Sequence, residues 1–85
     1  MAAAKSPEHA ALGRALRDLR ARRGISQEEL GYQAGLHRNY VGAYERGEIN
    51  LSFSVLLRLG HGLDAPLSEL ILDYEKQRAT DSDRA

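Results

Sequence analysis

Arg38 and Asn39 stand side by side in the run His37-Arg38-Asn39-Tyr40-Val41. An arginine offers a planar fork of N–H donors that matches guanine O6 and N7, and an asparagine amide matches adenine N6 and N7. Ala43, one helical turn after Asn39, has the bare methyl that suits a thymine methyl group. Such side chains read base edges only when something thrusts them together into a groove. Without that, Arg38 is a phosphate ligand or a solvated charge. Other chemistry is poorly served. The three histidines, His9, His37 and His61, are not spaced to meet on one helix, and the chain has no cysteine. A thiolate metal site or a disulfide is therefore excluded, and no nucleophile–base pair or phosphate-cradling loop stands out. Neither a cofactor, a bound metal nor catalysis is expected.

A short helix held by a second short helix would position these groups, and the flanking residues spell out that pair. Ser26-Gln27-Glu28-Glu29 is a capping box, with Ser at the N-cap and Glu at N3, and Ile25 and Leu30 sit where a hydrophobic staple needs them. This helix is expected to run to Ala34 and stop at Gly35, which suits a left-handed turn position. The next begins at about His37 or Arg38, turns Val41 and Tyr44 inward, and ends at Gly47. Gly31 falls where the two helices cross, a place with no room for a large side chain. Two helices of about eight residues around a Gly-containing connection of about three form a helix-turn-helix, here residues 27–46.

The remaining punctuation adds three helices. Ser6-Pro7 supplies an N-cap and a proline at N1, followed by Leu12, Ala15, Leu16 and Leu19 at helical spacing and a stop at Gly24. Ser52 caps a segment carrying Phe53, Leu56, Leu57 and Leu59, and Asp64-Ala65-Pro66 breaks it. Leu67, Leu70, Ile71 and Tyr74 lie at i, i+3, i+4 and i+7 on a fifth helix. With no strand alternation and no internal repeat, the expectation is an all-α, five-helix domain over residues 7–75. Residues 1–6 are expected to be an N-terminal arm, and 76–85 a polar, disordered tail. Gly42, Gly60 and Gly62 fall inside helices, each costing about 1 kcal/mol against Ala.

From Leu12 to Ile71 the chain resembles the Xre (phage-repressor-like) helix-turn-helix family. The resemblance is carried by Leu16-Arg17-x-x-Arg20-x-x-Arg23-Gly24-Ile25-Ser26-Gln27-Glu28-Glu29-Leu30 and by Ala34-Gly35-Leu36-His37-Arg38-Asn39-Tyr40-Val41. Tyr44-Glu45-Arg46-Gly47-Glu48 and Pro66-Leu67-Ser68-Glu69-Leu70 complete it. Within the family, His37 to Val41 with Glu45-Arg46 and Asn50-Leu51-Ser52 is similar to the controller proteins of restriction–modification systems. Ile49 and Leu51 depart from the commoner pattern, which has a polar or basic residue and a proline there. The resemblance implies a compact, lambda-repressor-like domain without a cofactor, working as a symmetric homodimer on a near-palindromic operator in double-stranded DNA.

In this motif the second helix enters the major groove with its leading residues at the base edges, while the first crosses the backbone. His37, Arg38, Asn39 and Ala43 are then the expected base contacts, with Gly42 permitting close approach. Gln27 is implied to hold a phosphate, in keeping with the attraction of helix N-termini for anions. Tyr40, Arg46, Asn50, Arg20 and Arg23 are the further phosphate candidates. The family pattern also sets Arg20 opposite Glu45 as a structural ion pair. Arg14, Arg17 and Arg22 are expected to be solvated.

Bulk properties fit this picture. The net charge is zero, but residues 1–46 hold eight basic against five acidic side chains and residues 47–85 four against seven. One end can therefore face phosphate. No apolar run approaches a membrane span or a signal peptide, so a cytoplasmic protein without membrane attachment is expected. Eighty-five residues leave little core to share. The stripe Leu67, Leu70, Ile71, Tyr74 is thus expected to meet a second copy, with Leu63 and Ile49 at its margin. The competing reading is an antitoxin-type or adaptor protein using the same fold to bind another protein.

Overall fold

A computed structural model describes residues 6–84, with side chains to Ser82. Residues 1–5 of the expected arm, and Ala85, lie outside the described residues. Five helices follow in order: α1 (Pro7–Arg23), α2 (Gln27–Ala34), α3 (Arg38–Glu45), α4 (Phe53–Leu63) and α5 (Leu67–Arg84). Each of the first four starts on a side-chain cap that satisfies an otherwise orphaned N–H. Ser6 Oγ accepts from the His9 N–H at 3.1 Å, Ser26 Oγ from Glu29 at 3.0 Å and Ser52 Oγ from Val55 at 3.2 Å. The Glu29 carboxylate reaches forward, accepting from Gln33 Nε2 at 3.0 Å. Gly35, at φ 71°, closes α2, and Asp64 takes the same left-handed role after α4, at φ 51°.

The core draws Ala15, Leu16 and Leu19 from α1, Leu30 and Ala34 from α2, Val41 and Tyr44 from α3, Leu59 and Leu63 from α4 and Leu70 from α5. α1 lies along α5, and α2 is wedged between α3 and α4. Two glycines let α3 sit deep in this arrangement. A Cβ on Gly31 would fall 2.5 Å from the Leu36 carbonyl oxygen, which explains the small residue expected at the α2–α3 crossing. A Cβ on Gly13 would lie 2.4 Å and 2.5 Å from the carbonyl oxygens of Glu45 and Tyr44. Backbone atoms cannot rotate aside, so Gly13→Ala must push α1 away from the end of α3. The expected cost is about 1–3 kcal/mol, the usual range for overpacking, read as a lower urea midpoint. An unchanged midpoint would show that the two helices separate freely.

Two expectations give way to the structure. Residues 76–84 are not a tail: α5 continues to Arg84. Its polar half is held by a ladder of partners on α1. Arg14 donates to Gln77 Oε1 at 3.1 Å and pairs with Asp81. Gln77 Nε2 donates to Asp18 at 2.8 Å, and Arg22 pairs with Asp73. Arg14 and Arg22 remain 42% and 54% exposed, solvated as expected, and each also has a partner on α5. The apolar stripe of α5 also divides otherwise than expected. Leu70 is 1% exposed and Leu63 likewise buried, both core residues of the protomer. Leu67 and Tyr74 pack against that core, leaving Ile71 on the surface beside Leu72. Among the described residues no helix is long and apolar enough to cross a membrane.

Candidate nucleic-acid interface

Gln27, Arg38, Asn39, Gly42 and Arg46 line one open, polar groove of about 460 Å³. Its walls come from the start of α2 and the outer face of α3, and the sequence explains how both are held. The Ser26 cap fixes the first turn of α2, placing Gln27 at the first helical position. α3 is anchored by Val41 and Tyr44 in the core and by Glu45, whose side chain is only 3% exposed. Burial is also the main reason the Tyr44 hydroxyl is pushed above the usual tyrosine range, with a smaller contribution from Tyr40.

Glu45 is the hub of the arrangement. Arg20 Nε donates to its Oε2 at 2.6 Å and Arg20 Nη2 to its Oε1 at 3.1 Å, a two-pronged contact that joins α1 to α3. Arg20 Nη1 donates to the Ile25 carbonyl at 2.8 Å. Gln27 Nε2 adds a hydrogen bond to Glu45 Oε1 at 3.0 Å. Among the described side chains none leaves a buried nitrogen or oxygen unpaired, so the network satisfies itself. The hydrogen bond to Glu45 outweighs burial and holds the Arg20 guanidinium above its ordinary range. The expected Arg20–Glu45 pair is therefore present.

The leading edge of α3 is open. Arg38 and Asn39 are both exposed, and Ala43, four residues beyond Asn39, shares its ridge. His37 has a more constrained post than a free base contact: its Nδ1 caps α3 by accepting from the Asn39 N–H at 3.1 Å. The hydrogen therefore sits on Nε2, the nitrogen left to point outward. Tyr40, next in the same turn, is 40% exposed. Arg46 follows α3 and pairs with Glu48 at 3.0 Å, a contact that raises its pKa. Asn50 Oδ1 accepts from His9 Nε2 at 2.7 Å, while His9 Nδ1 meets Ser6 Oγ at 2.6 Å. His9 thus ties the loop after α3 to the start of α1. Arg23 is engaged elsewhere: its Nε donates to the Leu63 carbonyl at 3.0 Å and its Nη2 pairs with Glu69 at 3.2 Å. It clamps α1 to the α4–α5 corner.

Two features had no place in the sequence reading. Glu28 pairs with Arg38 at 2.9 Å across the α2–α3 turn. Phe53, Leu57 and Leu72 join Ile71 as exposed apolar residues on α4 and α5. For Phe53 and Leu57 a signal existed: α4 carries Phe53, Val55, Leu56, Leu57 and Leu59, more apolar positions than one buried face can use.

The helix-turn-helix domain family matches residues 11–70 of the chain. The control protein C.SmaI of Serratia marcescens is 38% identical over 56 residues, 66% of this chain and 67% of that protein. The control protein C.MunI of a Mycoplasma species is 38% identical over 66 residues, covering 76% and 89% respectively. The crystal structure of the restriction-modification controller protein C.AhdI from Aeromonas hydrophila superposes with a TM-score of 0.75 at 42% identity, covering 76% of this chain and 98% of that one.

Proposed function

The chain belongs to the helix-turn-helix domain family, and on that premise we propose that it regulates transcription by binding double-stranded DNA in the manner of a control protein. The single observation that carries this reading is the groove at Gln27, Arg38, Asn39, Gly42 and Arg46. It presents hydrogen-bonding side chains to solvent on a helix whose other faces are locked by Glu45, Val41 and Tyr44. α3 enters the major groove with Arg38 and Asn39 at base edges, Ala43 against a thymine methyl and His37 at the rim through Nε2. Gln27, in the first turn of α2, and Arg46 beside it in the groove take phosphates, and Tyr40 and Asn50 are further phosphate contacts. Two copies, meeting through exposed apolar residues of α4 and α5, place two such helices on successive turns of one near-palindromic operator.

The test is a salt titration of binding to random duplex and to the DNA upstream of the protein's own gene. A strong preference for one sequence and a steep loss of affinity with salt are expected. Within that assay Arg38→Ala is expected to lose about 1–3 kcal/mol of discrimination at one base position, whereas Gln27→Ala weakens binding to all sequences alike. If the two variants behave identically, the division between base reading and phosphate holding is wrong. A restriction enzyme or a toxin encoded next door separates a control protein from an antitoxin.

A further inference from the structure

We propose that Glu28 sets the preference of Arg38 for base edges over phosphates, acting as a built-in counter-ion that offsets its long-range charge. The inference rests on the reading of α3 as the recognition helix and adds to it a residue on α2.

Glu28 lies in the first turn of α2 and Arg38 opens α3, so the turn between the helices brings them face to face. Arg38 Nη1 donates to Glu28 Oε2 at 2.9 Å. An arginine has five N–H donors, and this contact engages one nitrogen of three. Nη2 and Nε still offer a bidentate edge. Both side chains are largely exposed, Arg38 at 63% and Glu28 at 73%. An ion pair so wet is weak and exchanges readily, so it does not lock Arg38 away from DNA. It alters what Arg38 is attracted to.

A phosphate and a guanine edge respond differently to that carboxylate. Phosphate attracts arginine mainly through full charge acting over several ångströms, and a carboxylate 2.9 Å from the guanidinium turns that charge into a dipole whose field decays faster. Guanine O6 and N7 are neutral acceptors reached through short, directional hydrogen bonds. Those bonds survive the neutralisation. The same arrangement recurs around the groove. Arg46 pairs with Glu48 and Arg20 with Glu45, so each of these guanidinium groups also has a carboxylate beside it.

The experiment compares wild type, Glu28→Gln, Glu29→Gln, Arg38→Ala and the double variant Glu28→Gln/Arg38→Ala. Each binds a duplex selected by the wild type from a randomised library and a random duplex, across a salt series. Glu29 is the control carboxylate of the same helical turn, bonded to Gln33 instead. In Glu28→Gln the affinity for random duplex is expected to rise about two- to fivefold, the scale of one exposed ion pair. Its salt dependence should steepen by about 0.9 per protomer, one further phosphate neutralised. Affinity for the selected site should change less, so the ratio of the two falls. Glu29→Gln should leave the ratio unchanged, and Glu28→Gln should have no effect on it once Arg38 is alanine. An unchanged ratio in Glu28→Gln overturns the proposal. So does an equal fall in Glu29→Gln or in the Arg38→Ala background, because Glu28 would then be only a repulsive charge. A wild type that selects no sequence from the library overturns the recognition-helix reading itself, and Glu28's role with it.

Discussion

Glu45→Ala is expected to destabilise the fold by about 3–5 kcal/mol, the usual cost of leaving one member of a buried ion pair without its partner. The substitution strands the Arg20 guanidinium, 16% exposed, opposite an empty position. It also removes the acceptor of Gln27 Nε2. A domain of this length has a total stability of roughly 4–13 kcal/mol, so the variant is left marginal. Urea unfolding followed by circular dichroism reads the loss directly. Glu45→Gln keeps the shape and an acceptor oxygen, and should recover part of it. The exposed end of the scale is set by Arg22→Ala: its pair with Asp73 leaves the arginine 54% exposed, and less than about 1 kcal/mol is expected. Arg20 is held above the ordinary arginine range. Its part of the stabilisation is therefore complete below that range and is lost only as pH rises through it. A Glu45→Ala loss no larger than that of Arg22→Ala would show that the hub is solvated and does not fix α3.

What could be read from the sequence was local. The caps at Ser6, Ser26 and Ser52 and the turn at Gly35 each depend on a few neighbouring residues, so their signatures survive without knowledge of the fold. The Arg20–Glu45 pair was implied only by the resemblance, since nothing in a spacing of 25 residues marks two side chains as partners. The long α5 shows the opposite case. Its second half looks like a solvated tail in composition, yet Arg14, Asp18 and Arg22 repeat every fourth residue on α1, as Asp73, Gln77 and Asp81 do on α5. Side chains four apart share a helix face, and these two faces run antiparallel with matched donors and acceptors. The pattern was present, but only a known pairing of α1 with α5 gives it meaning. The partners of Arg23 and His9 are illegible for the same reason: Leu63 and Glu69 for one and Asn50 for the other lie some forty residues away. Periodicity was also unable to say what covers an apolar face. The stripe from Leu67 to Tyr74 was correctly helical, but its split into a core side at Leu70 and a surface side at Ile71 is set by where α1 and α4 lie.

That split directs the last prediction to different residues from those the stripe alone suggests. Ile71→Glu and Leu72→Glu, separately, are each expected to convert a dimer into monomers, whereas Tyr74→Ala should mainly lower the unfolding midpoint because Tyr74 packs against the protomer core. Phe53 is 67% exposed, Leu57 49% and Leu72 52%, with Ile71 at 37%. Large apolar side chains on two helices that pack together form a surface that is stabilised by being covered, and a two-fold axis lets identical patches cover each other. A carboxylate at Ile71 or Leu72 would be buried among apolar side chains in that contact, which is costly for a charge. The consequence reaches the DNA. Two joined recognition helices bind as one unit, and joining typically multiplies affinity by about 10²–10⁴. Operator affinity should therefore fall on that scale in the monomeric variants, although Arg38, Asn39 and Gln27 are untouched. Sedimentation equilibrium gives the mass and fluorescence anisotropy the affinity. Dimer mass persisting in both charged variants would place the contact elsewhere on the protomer. A wild type that binds its operator as a monomer would remove the symmetric reading of the operator altogether.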